Sequence, residues 1–178
     1  ERRYLRGTLA IETTFTTDGG SVRMTDVMAA REGQRGHDLG LDAPHELLRS
    51  IEGLEGRVEL DLELAPRPEY GLVRPLFRQT AEGGRTFGGP NQMAVTAGVP
   101  VTVDDSTMRA TFTVSAGESV GFALRWSAVE GPAPQPAPAS RVAERIADSL
   151  EAWRSWEALH GIYDGPHRDL VRLSSRVL

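Results

Sequence analysis

The sequence predicts a mainly β fold: one antiparallel β domain, then a Pro/Ala linker and an amphipathic helix. Three observations carry this. Apolar and polar residues alternate with a period of two through much of residues 1–130, and Gly- and Asp-containing turns separate the alternating runs. From Gly131 the composition changes to Gly-Pro-Ala-Pro-Gln-Pro-Ala-Pro, after which a helical spacing sets in.

From Thr8 to Thr17 the apolar residues Leu9, Ile11 and Phe15 fall on odd positions, as in a strand with one buried face. Asp18-Gly19-Gly20 supplies the positive φ angles of a tight connection, and Val22, Met24 and Met28 resume the alternation, so a first hairpin is expected. Residues Gln34 to Pro44 are polar and without period, a loop leading to a strand near Leu47 to Leu54. Val58, Leu60, Leu62 and Leu64 then alternate with Arg57, Glu59, Asp61 and Glu63, which predicts a second hairpin turning near Gly53 to Gly56.

Beyond Pro66 and Pro68, Gly71 to Thr80 reads as a strand that Pro75 confines to an edge or a bulge. Gly83-Gly84 and Gly88-Gly89-Pro90 punctuate short strands. Met108, Ala110, Phe112 and Val114 alternate, Gly117 turns the chain, and Val120, Phe122, Leu124 and Trp126 alternate again, so a third hairpin closes the β region. Ser140 is the expected N-cap of a helix whose Val142, Ile146, Leu150, Trp153 and Leu159 recur at helical spacing through to His160. Tyr163-Asp164-Gly165-Pro166 breaks that helix, and Leu170, Val171, Leu173 and Val177 open a second pattern with no stop signal, as in a polypeptide that continues.

Composition narrows the function. A net charge of −5 argues against a nucleic-acid partner, whose phosphates are met by clustered positive charge. All 20 basic residues are Arg, scattered along the chain rather than grouped on one segment. The absence of cysteine excludes disulfides, thiolate metal sites and a thiol nucleophile, and accords with a cytoplasmic location. No apolar run is long enough for a membrane span and no signal-peptide pattern opens the chain, so a soluble protein is expected.

Catalytic constellations are not evident. His37, His45, His160 and His167 are dispersed, outside any two-His helical spacing, and read as surface or loop residues. Asp104-Asp105 reads as a turn rather than a calcium site, which needs six or more oxygens. Gly83 to Gly89 lacks the Lys-Ser/Thr ending of a phosphate loop and reads as a glycine-rich hairpin. Trp153 and Trp156, three apart on a helix, are spaced to face a core, and Trp126 belongs to an alternating apolar face that burial would cover. No cofactor and no metal are expected.

An ordered series of segments resembles the trehalase-like N-terminal region of bacterial glycoside hydrolase family 15, the glucoamylase and trehalase family. It runs from Arg3-Tyr4-Leu5-Arg6-Gly7-Thr8-Leu9 and Glu12-Thr13-Thr14-Phe15 through Val22-Arg23-Met24-Thr25-Asp26-Val27-Met28 to His45-Glu46-Leu47-Leu48-Arg49. It continues with Ile51-Glu52-Gly53-Leu54-Glu55-Gly56-Arg57-Val58 and Pro66-Arg67-Pro68-Glu69-Tyr70-Gly71, and closes with Tyr163-Asp164-Gly165-Pro166. The resemblance implies a β-sandwich beside a helical (α/α)6 barrel that cleaves α-glucosidic bonds with inversion, its general acid and its water-activating carboxylate both lying in the barrel. Family members normally carry an Asp-Gly-Ser-Ile-Asp-Trp-like stretch before the point where this chain starts, and Gln34 to Pro44 is longer than the family pattern.

The organisation that follows is a sandwich over 1–130, a Pro/Ala linker over 131–139, a connecting helix over 140–162 and, over 163–178, the start of a barrel that the chain does not contain. The expected role is to brace that barrel, the partner through which an α-glucoside is met, and the chain alone is expected to be inactive. Arg67, Tyr70, Trp153, Trp156 and Tyr163 are the candidate interdomain contacts. A stand-alone carbohydrate-binding module, or a structural module that promotes oligomerisation, are the alternatives; low aromatic content weighs against the former.

Overall fold

The computed structural model of the chain describes residues 1–177, and it is mainly β. Ten strands form: β1 (Arg2–Tyr4), β2 (Ile11–Thr17), β3 (Gly20–Met28), β4 (Glu46–Leu64), β5 (Leu76–Thr80), β6 (Gly83–Phe87), β7 (Asn91–Ala97), β8 (Thr102–Asp104), β9 (Thr107–Ser115) and β10 (Ser119–Ala128). Two helices follow, α1 (Val142–His160) and α2 (Arg168–Val177). The ten strands pair with one another antiparallel, and the larger sheet runs β1-β2-β3-β4-β10-β7-β6-β5. The far half of β4 leaves that sheet and pairs with β9, which pairs with β8, to make a smaller second sheet.

The first hairpin forms as the alternation predicts, β2 and β3 pairing from Ile11 with Asp26 to Thr17 with Gly20. The second does not. Residues 47–54 and 58–64 belong to one continuous strand, and Gly53 to Gly56 mark its passage from one sheet to the other. Ser21 and Val22 face Glu55 and Gly53, so Leu54 is an extra residue, a bulge that bends the strand. The glycines serve close approach: a Cβ on Gly53 would lie 2.0 Å from the Ser115 carbonyl oxygen, and Gly56, at φ +60°, sits against the Gly19 carbonyl.

The third hairpin is also absent as a paired unit. β9 and β10 both pair with β4, β9 along its second half and β10 along its first, so the turn at Gly117 carries the chain between sheets. Pro75 precedes a shorter strand than expected, and β5 is the edge strand to which a proline points. The glycine-rich stretch is strand β6, between a turn at Ala81-Glu82 and a bend at Gly88 to Pro90; Asp104 ends β8 and Asp105 opens the turn to β9.

The larger sheet is covered on both faces, giving three layers. Against the smaller sheet it packs Val22, Ile51 and Phe122 on Val58 and Val114, and further along Phe77 and Val95 on Met108 and Ala110, with Val101 of the β7–β8 connection in the same cluster. On its opposite face Ala10, Val27, Leu48 and Ala123 meet Val142 and Ile146 of α1. Strand residues of opposite parity therefore serve different layers: Leu48 faces the helix and Ile51 the second sheet. Phe15 was expected on a buried face but is exposed, because β2 lies toward the edge of the eight-strand sheet, beyond the reach of the three-strand one. Trp126, also expected to be buried, is half-exposed and stacks on His45, with ring centroids 6.0 Å apart.

The Pro/Ala segment lies against the sheet. The buried Glu46 carboxylate accepts the Ala137 amide at 2.6 Å, the Gln135 carbonyl accepts from Arg125 at 3.1 Å, and the Pro132 carbonyl accepts from Ser127 at 2.9 Å. A 3-10 turn, Ala139–Arg141, leads into α1, so Ser140 lies inside that turn and Arg141 takes the N-cap position without a side-chain cap. The helix start is held by Val142, which is fully buried. The expected second helix corresponds to α2; Leu178, its expected last residue, lies outside the described residues. No helix among the described residues is long and apolar enough to cross a membrane.

Candidate functional site

Acid–base hydrolysis needs a carboxyl kept protonated and a second free to activate water. Glu12 is spent on Arg3 at 2.7 Å, Asp26 receives both arms of Arg49 at 2.6 and 3.0 Å, and Glu46 is tied to the Ala137 amide. Asp148 accepts from the Gly33 amide at 3.1 Å and from Arg35 at 2.9 Å. Burial by itself would raise its carboxyl, but the Gly33 amide, Arg35 and Arg145 outweigh it and hold the group below the usual carboxylate range. Glu118 and Glu144 are likewise lowered, by hydrogen bonds from Ser115 and Arg141 respectively. Each of these shifts runs opposite to that of a general acid.

The five candidate interdomain residues fall into two groups. Arg67 and Tyr70 lie between β4 and β5, where Arg67 donates to the Pro66 carbonyl at 2.8 Å. Tyr70 is fully exposed, at φ 55°, and Leu72 beside it is 87% exposed, so the loop presents unsupported apolar surface. Trp153, Trp156 and Tyr163 lie at the far end of α1 and just beyond it. Among the described residues no hydrogen bond, ion pair or ring contact joins the two groups.

On the helical side the rings form a chain. Trp153 and Trp156 meet edge to face, centroids 6.3 Å apart at 75°, and Trp156 leans on His160 at 4.4 Å. Two rings so inclined do not offer the common plane a sugar would stack on. Tyr163 donates its hydroxyl to the Pro166 carbonyl at 3.2 Å, while its own carbonyl accepts from Arg172 at 3.1 Å. α2 is tied back to α1 by Arg176 and Glu157, 2.9 Å apart and both largely buried. Its apolar residues Leu170, Val171 and Val177 remain exposed, with Leu159 and Ile162 nearby in the chain also exposed. A groove of ≈ 630 Å³ separates α1 from the Arg3–Gly7 segment, lined by Leu5, Arg6, Arg154 and Glu157.

What the sequence did not signal is how the 29–44 segment attaches to α1. The Ser149 hydroxyl accepts the Ala30 amide at 3.1 Å, and buried Arg145 donates to the Ala30 carbonyl at 2.8 Å. Ser155 accepts the Gly36 amide at 2.8 Å, and His37 reaches His160. Arg145 and Ser149 lie on the buried helix face beside Val142, Ile146 and Ala152, although neither is apolar.

Comparison with known proteins adds an outline. No family model matches. The trehalase of Mycolicibacterium smegmatis (strain ATCC 700084 / mc(2)155) is 27% identical over 194 residues, a match that covers 99% of this chain and 28% of that protein. The trehalase of Mycobacterium tuberculosis (strain ATCC 25618 / H37Rv) is 26% identical over the same length, again with 99% and 28% coverage. The chain thus spans little more than a quarter of the curated relatives it matches. A solved structure from human microbiome, described as a candidate kojibiose phosphorylase, covers 94% of this chain with 22% of its own, at TM-score 0.41 and 8% identity.

Proposed function

We propose that this chain is the non-catalytic β-sandwich portion of a trehalase-like, inverting α-glucosidase of glycoside hydrolase family 15, and that it braces a separate catalytic unit. The supporting observation is the coverage: essentially the whole chain is similar to a minor fraction of two trehalases, whose greater part lies outside the match. The bonded state of the buried and half-buried acids agrees with this, since Glu12, Glu46 and Asp148 are engaged in holding the fold. In this proposal a catalytic partner unit rests on the loop of Arg67 and Tyr70 and on the helical surface of Trp153, Trp156 and Tyr163, and the protein works in the cytoplasm.

The test is direct. The purified 178-residue chain, incubated with trehalose or maltose, is expected to release no glucose above a buffer blank. Turnover that survives repurification would overturn the assignment.

A further inference from the structure

His37 and His160 are 123 positions apart, and the fold brings His37 Nδ1 to 3.3 Å from His160 Nε2, ring centroids 5.0 Å apart and planes at 80°. That separation is long for a hydrogen bond, which favours about 2.7–3.2 Å. It matches another geometry. Two imidazole nitrogens bound about 2.0–2.1 Å from one tetrahedral metal ion stand about 3.3–3.4 Å apart. We propose that His37 and His160 form an open binding site for a divalent late transition-metal ion of the zinc, nickel or copper class.

The pair is positioned before any ion arrives. His37 follows Gly36, whose amide is fixed on Ser155 at 2.8 Å, and His160 rests against Trp156 at 4.4 Å. Arg35 anchors the same segment to Asp148 at 2.9 Å. Supporting contacts of this kind reduce the ordering cost that a two-ligand site would otherwise carry. Both imidazoles are exposed, so an ion reaches them from solvent.

Donor chemistry selects the ion. Imidazole suits zinc, nickel and copper, whereas magnesium and calcium prefer oxygen. Among the described residues no third His, Cys, Asp or Glu completes a cluster, so water fills the remaining positions and the site is exchangeable rather than a closed structural one. The ion clips the 29–44 segment to the C-terminal end of α1. Because the two ligands are distant in the unfolded chain, binding favours the native state.

The experiment uses untagged full chain stripped with EDTA, with NiCl2 as probe and MgCl2 as control. Saturating Ni2+ is expected to raise Tm by roughly 5 °C or more and Mg2+ to leave it unchanged. Ni2+ is also expected to quench indole emission, since Trp156 touches His160. His37→Ala and His160→Ala, both at exposed positions, should each abolish the Tm shift, while His167→Ala keeps it. No Ni2+-dependent shift in the unaltered protein, or a shift that persists in both the His37 and the His160 variants, overturns the proposal.

Discussion

The Ser149 hydroxyl, fully buried on α1, accepts the amide of Ala30 at 3.1 Å and donates to the Arg145 carbonyl of its own helix at 2.8 Å. One small side chain thereby satisfies a buried amide 119 positions away and attaches the segment after β3 to the helix.

Ser149→Ala removes only an oxygen but leaves the Ala30 N–H without a partner. The expected cost is about 1–3 kcal/mol, the penalty of an unsatisfied buried donor. Urea unfolding should show a lower midpoint with an unchanged slope. A midpoint equal to that of the unaltered protein would mean that water or a rearranged loop takes the place of the hydroxyl.

Asp148 predicts a pH dependence. Its carboxyl is held below the ordinary value of 3.8, so the folded state binds the proton less readily than the unfolded state. The stabilisation is therefore fully present above the unfolded value and is lost as pH falls through the folded one. Asp148→Asn should be less stable at pH 7, and the gap to the unaltered protein should narrow only as pH drops below 3.8. A gap independent of pH down to acid unfolding would show that the pairing does not act through charge.

Gly53 tests the bend in β4. A methyl group there would stand 2.0 Å from the Ser115 carbonyl oxygen, so Gly53→Ala must part the two sheets locally. We expect a loss of about 3 kcal/mol or more, in the range of strained core substitutions. At Gly117, φ +83° with open space around it, the same change should cost only about 1–2 kcal/mol for the left-handed backbone. Equal effects at the two positions, read by thermal melting, would contradict the close-approach explanation.

The Glu157–Arg176 pair makes a local prediction. Glu157→Gln should free α2 without loosening the sheets, because α2 places no apolar side chain in the core and the Arg176–Glu157 pair is its tie to α1. Amide exchange should speed up across Arg168–Val177 and remain slow in β4 and β10. Accelerated exchange in the strands would show that α2 supports the core.

Tyr70→Ala and Arg67→Ala separate the isolated chain from a longer protein. Both side chains are exposed, so in this chain alone the change should stay within about 0.5 kcal/mol. In a longer protein that carries the catalytic unit, either change is expected to lower Tm before it alters the ratio of trehalose to maltose turnover. Altered preference at undiminished Tm would speak against a bracing role.

Local periodicity by itself determined the β2–β3 hairpin, the two-faced character of residues 57–64 and the helical character of the segment through to His160, because alternation and helical spacing are carried by neighbours in the chain. Only the tertiary structure decided what the glycines at 53 and 56 do, since reversal and close approach require the same residue and differ in which backbone lies opposite. The same holds for Arg145, Ser149 and His160. Their neighbours offer no reason to bury a guanidinium or a serine, or to pair a histidine; the partners, Ala30 and His37, arrive from more than a hundred positions away. Burial of a polar group is settled by whoever satisfies its hydrogen bond, and that is a property of the fold rather than of any window of sequence.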